Sequence, residues 1–284
     1  MRADKAMKKS ERPSRTVSLN GPVVIVSPHA DDAAYSIGGL IQKSIFRSPV
    51  HIVTLFGRSN YLRRSGFDNE PDTVSRLRYR EDMSFAARVG AALTYLDFPE
   101  AALRIRSKSE GIFATDVKEP APPNVQTTLD ELFDEIRPRG VFAPLAIGQH
   151  RDHLIARDLA AGQATRAQLP LFYYEDLPYA AALTRPQLRA HTQSVDARLR
   201  AVNVPVELAA KLNGLTLYRS QIGTEELQIV SEYARRWRLD QAVERIWTAS
   251  SKSEFLKMFG AGRVFETDPH HHRKAAKAVQ QGGR

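Results

Sequence analysis

The sequence contains no cysteine among its 284 residues. That removes disulfides, a thiolate nucleophile and cysteine metal ligands from its chemistry. It also lacks any apolar run approaching the ~20 residues that a membrane span requires. Its basic opening, "MRADKAMKKSERPSR", is not followed by the apolar core and cleavage site of a secretory signal. Nor does it interleave basic with aromatic residues in the manner of a nucleic-acid-binding surface. These absences predict a cytoplasmic protein with no membrane span and no specific nucleic-acid partner. They set no oligomeric state.

What is present is ordinary in amount: 42% hydrophobic and 26% charged residues, enough for a sizeable core. The formal charge of +9 is not spread evenly. Residues 1–20 carry +4 and residues 270–284 another +4, which leaves +1 for residues 21–269. The two ends therefore read as disordered basic tails, solubilising rather than polyanion-seeking. The "HHHR" of the second tail reads as solvated.

From Gly21 the chain alternates short β-rich runs with segments of helical spacing. The strands are "PVVIVS", "VHIVTLF", "LTYLDF", "GVFAPLAIG" and "LPLFYYEDL". Between them, "AYSIGGLIQKSIFR", "RLRYREDMSFAARVGA", "VQTTLDELFDEIR" and "HLIARDLAAGQA" read as helices. Residues 57–75 read as a long polar loop and 104–124 as a second loop. The alternation predicts an α/β fold, a Rossmann-like, mostly parallel sheet flanked by helices, over residues 21–180. Residues 181–269 read as a helical or mixed C-terminal cap packed on the same domain.

Two polar clusters stand where apolar strands stop. In "SPHADDAAYS", His29 and Asp32 are three apart across a tight turn and can converge on one point, while Asp31 projects differently. In "GQHRDHLIARD", His150 and His153 are again three apart. Parallel sheets bind ligands beyond the carboxyl ends of their strands. If both strands are central, His29, Asp32 and His153 make a two-histidine, one-carboxylate site, which suits zinc; iron(II) is the chemical alternative. Each cluster alone reads more readily as a helix cap.

"SPHADDAAYSIGGLI", "RYREDMSFAARVGA", "APLAIGQHRDH" and "FYYEDLPYA" together resemble the PIG-L/LmbE-like zinc-dependent de-N-acetylases. The resemblance implies that His29, Asp32 and His153 hold the metal and that Asp31 is the general base. It implies that a protonated His150 stabilises the developing oxyanion and that Asp152 orients or charges His150. Arg78 matches an arginine that contacts the sugar. Asp176 and Tyr179 either hydrogen-bond sugar hydroxyls or form the turn at Leu177–Pro178. The implied substrate is an N-acetylglucosamine-type amino sugar or glycoconjugate. Ala30 and Ala33 stand where the commoner motif has proline and glutamate, and Gly148 where some members carry a tyrosine. One branch of the family hydrates an unsaturated organic acid instead, and "YLRRS" with Arg76, Arg78 and Arg80 offers cations for such a substrate. A non-catalytic polyanion-binding protein is the remaining alternative.

Overall fold

The structure is a computed structural model and describes residues 21–42, 46, 48–105, 111–113, 121–238, 240–251, 254, 259 and 266–267. The five expected strands form as β1 (Val23–Ser27), β2 (Val50–Thr54), β3 (Ala92–Tyr95), β4 (Gly140–Pro144) and β5 (Leu171–Tyr174). They pair in parallel in the order β3-β2-β1-β4-β5. β1 and β4 are buried at every residue. Helices covering both faces explain why these strands read as unbroken apolar runs.

The crossovers are α1 (Asp32–Gln42), α2 (Pro71–Val89), α3 (Ala101–Arg104), α4 (Val125–Ile136) and α5 (Arg151–Ala167). α2 begins five residues before the predicted start at Arg76. The carboxylate of Glu70 accepts the Thr73 N–H at 3.0 Å, and Pro71 occupies the first turn, where its missing N–H costs nothing. α3 ends on Arg104, the first residue of the segment read as loop. Its four residues are too few to give a periodic signal.

After β5 come α6 (Arg185–Val195), β6 (Arg200–Pro205), α7 (Leu208–Leu215), α8 (Thr224–Arg235), β7 (Val243–Thr248) and β8 (Glu266–Thr267). β7 lies antiparallel beside β5, with β6 and then β8 beyond it. Residues 181–269 thus contribute helices and also continue the sheet. The basic segments 1–20 and 270–284 lie outside the described residues.

Strand order reverses between β1 and β4, since the chain runs outward from β1 to β3 and then crosses back to β4. The connections after β1 and β4 therefore diverge, and a crevice opens at their carboxyl ends. Both polar clusters of the sequence exit there.

Candidate metal centre

The turn after β1 is held by its own polar groups. The Ser27 hydroxyl donates to the His29 carbonyl at 2.6 Å and accepts the Ala33 N–H at 3.1 Å. The His29 N–H donates to Asp32 Oδ2 at 2.8 Å. These bonds bend the chain so that the side chains of His29 and Asp32 point the same way.

The turn after β4 runs through three left-handed residues: Ala146 at φ 59°, Gly148 at 84° and Gln149 at 57°. It delivers His150 as the N-cap of α5, its Nδ1 accepting the Asp152 N–H at 3.2 Å. His153, one turn into the helix, then faces β1.

The predicted convergence of the two clusters occurs. Asp32 Oδ2 lies 3.1 Å from His29 Nδ1 and 3.4 Å from His153 Nε2, and one ligand atom from each residue falls within 4.8 Å of the others. A tetrahedron with bonds of about 2.0–2.1 Å has edges of about 3.3 Å, so this donor spacing suits zinc. Hard and borderline donors without sulfur also suit iron(II).

Each histidine is fixed from behind by a buried carboxylate. His29 Nε2 donates to Asp152 Oδ2 at 2.9 Å, and His153 Nδ1 donates to Asp176 Oδ1 at 2.6 Å. A proton committed to one ring nitrogen leaves the other free as a lone-pair donor, which fixes tautomer and ring orientation together. Asp152 is completed by Arg104 at 2.7 Å and the Ala101 N–H at 2.8 Å, and Asp176 by the Ile147 N–H at 3.0 Å. His29, His150 and Asp152 form a second close group. There, however, Asp152 already accepts three hydrogen bonds.

Two expectations are corrected by these contacts. Asp152 does not orient His150 through its carboxylate, because that carboxylate is turned to His29 and Arg104. Asp176 does not face a sugar, because it is 1% exposed and serves His153. Sequence reasoning missed Arg104 altogether, and nothing local marks it.

Burial lowers His150 well below the usual histidine range, and the positive charges that His29 and His153 can carry lower it further. With Nδ1 accepting a backbone N–H, the single proton of the neutral ring sits on Nε2. His150 is therefore a neutral donor rather than the expected imidazolium. Burial opposes charge on His29 too, but Asp152 and Asp32 outweigh it and push His29 up to about 10. Without a metal, a proton supplies the positive charge these carboxylates are built to meet.

Asp31 lies beside this group, partly exposed. Burial raises its carboxyl above the usual range, opposed by Arg78, whose Nη2 lies 3.3 Å from Oδ1. Arg78 is itself buried and also donates to Ser59 Oγ at 2.8 Å and Glu100 Oε2 at 3.4 Å. It thus holds Asp31. Arg76 and Arg80 are exposed on the opposite side of α2, and Arg63 is bound to Glu226 at 2.8 Å. Arg64 is exposed as well. Tyr179 sits at the rim, its ring centroid 5.8 Å from that of His153.

Residues 24–164 match the family described as PIG-L, GlcNAc-PI de-N-acetylase. The 2'-N-acetylparomamine deacetylase of Streptomyces fradiae is 30% identical over 262 residues, covering 85% of this chain and 88% of that protein. Among solved structures, the A40926 pseudoaglycone deacetylase Dbv21 is 22% identical with a TM-score of 0.62, covering 82% of this chain and 100% of that one. The 4-carboxy-2-hydroxymuconate hydratase GalB of Pseudomonas putida is 18% identical with a TM-score of 0.52, covering 80% and 95%. At such identities the two structures speak to the fold alone, which a deacetylase and a hydratase share.

Proposed function

Since this chain belongs to the PIG-L family of de-N-acetylases, we propose that it is a metal-dependent hydrolase that removes the acetyl group from an N-acetylated amino sugar or glycoconjugate. The reading rests on one observation: His29, Asp32 and His153 converge beside an unligated carboxylate, Asp31, and a neutral donor, His150.

His29, Asp32 and His153 would hold the metal, zinc or iron(II). Bound there, the ion would lower the pKa of a water and polarise the acetyl carbonyl. Asp31 accepts a proton from the attacking water, and its raised pKa brings it nearer to neutral pH than a free carboxylate. Arg78 fixes its orientation. The Nε2–H of His150 donates to the carbonyl oxygen as that oxygen becomes negative. Asp31 then passes its proton to the departing nitrogen. The C–N bond breaks, a C–O bond has formed, and acetate leaves a free amine.

Acetate release from 2'-N-acetylparomamine, N,N'-diacetylchitobiose and an N-acetylated glycopeptide, with and without chelator, tests this. Release from at least one of them, abolished by chelator and restored by zinc or iron(II), is the expected result. No acetate from any of the three, or release indifferent to chelator, would overturn the proposal.

A further inference from the structure

Phe113 is a large apolar side chain, 45% exposed, at the edge of a site otherwise built from polar groups. A single exposed phenylalanine ordinarily means little. This one is held in place. Residue 113 bridges His150 through the backbone, the Arg151 N–H donates to the Ile112 carbonyl at 3.0 Å, and Arg151 Nε donates to the Gly111 carbonyl at 3.1 Å. The segment 111–113 is thereby fixed to the start of α5, the element that carries His150 and His153.

Its ring belongs to a wall of rings. Its centroid lies 5.7 Å from that of His150 and 5.9 Å from that of Tyr179, both nearly perpendicular to it. Tyr179 in turn lies across Gly148, where a Cβ would come within 2.8 Å of the Tyr179 ring, and Gly148 adopts φ 84°. Only glycine satisfies both the space and the backbone angle there. The Tyr179 hydroxyl has no protein partner among the described residues. The wall therefore sets an apolar ring 5.7 Å from that of His150, next to a tyrosine whose hydroxyl has no partner among the described residues.

We infer that Phe113 is a specificity-determining residue, the platform for the apolar C–H face of the pyranose ring that bears the acetamide. The inference rests on the deacetylase reading above and adds where the sugar ring lies. An aromatic face is electron-rich and attracts the weakly positive C–H groups of a pyranose. Removing that apolar face from water stabilises the complex further. The distance selects the ring: the acetamide nitrogen is bonded directly to it, so with the carbonyl at His150 no other ring of a glycoconjugate comes as near.

The test is saturation-transfer NMR with methyl 2-acetamido-2-deoxyglucopyranoside on the zinc-loaded Asp31→Asn chain, which blocks turnover. Irradiating aromatic protons should transfer to the ring C–H protons. The transfer should fall when Phe113→Ala is added and return with Phe113→Trp. Affinity should drop about three- to tenfold in the alanine variant, the size of one aromatic contact. The inference is overturned if the glycoside does not bind, or if Phe113→Ala leaves transfer and affinity unchanged. Acetate release by the otherwise unaltered chain reports on the deacetylase reading separately, because binding is measured here without turnover.

Discussion

At the scale of single residues, the histidines of the site are backed by fully buried carboxylates. Asp176 lies behind His153 as Asp152 lies behind His29, and each sets which ring nitrogen is free. Asp176→Asn should weaken zinc binding about 10–100-fold while leaving the fold intact, since the amide still fills the space. Competition against a chromophoric chelator would measure it, and an unchanged affinity would show that Asp176 does not tune the ligand. The candidate ligands were legible in the sequence, because histidine and aspartate directly after an apolar run demand an explanation. Their supporting carboxylates were visible as residues but not as partners. Asp152 meets a histidine 123 positions away, a pairing created by strand order. The reach of Arg78 to Asp31 and Glu100 was hidden for a related reason: an arginine on a helix gives no sign of whether it faces water or a buried carboxylate.

At the scale of elements, α1 shows how the far end of the chain reaches the site. The helix that begins with Asp32 is interrupted at Ile37, where φ is −130° and ψ 23°. The Gly39 and Leu40 N–H groups freed there donate to Glu244 at 2.9 and 2.7 Å, and Lys211 joins Glu244 at 2.6 Å while donating to the Ser36 carbonyl at 3.2 Å. Glu244, from β7, thus acts as a cap supplied from outside the helix. Lys211→Met leaves Glu244 charged and buried, and should destabilise the protein by about 3–5 kcal/mol. Urea unfolding would measure this; a loss below about 1 kcal/mol would mean the pair adds little. The same residues explain why β7 was missed. A run reading Val-Glu-Arg-Ile-Trp has no apolar pattern, yet all of it is buried. Glu244 is paired with Lys211, and the Arg245 guanidinium lies 3.6 Å from the centre of the Trp237 ring. The parallel strands had no such charges and were plain in the sequence.

At the scale of the whole molecule, a parallel sheet with reversed strand order fixes where chemistry can occur. The turns after β1 and β4 must emerge side by side at the switch point, so ligands from residues 29–32 and 150–153 can share a site. The antiparallel strands β6 and β7 extend that sheet on the β5 side and, through Glu244, brace α1. The central claim is that His29, Asp32 and His153 share one cation on which acetate release depends. The most direct measurement is a zinc titration of the chelator-stripped chain, following bound metal and acetate release in the same sample. Both should rise together and level at one ion per chain, and His153→Ala should show neither. Full acetate release from the stripped chain, or a His153→Ala chain that fills and turns over normally, would contradict the account.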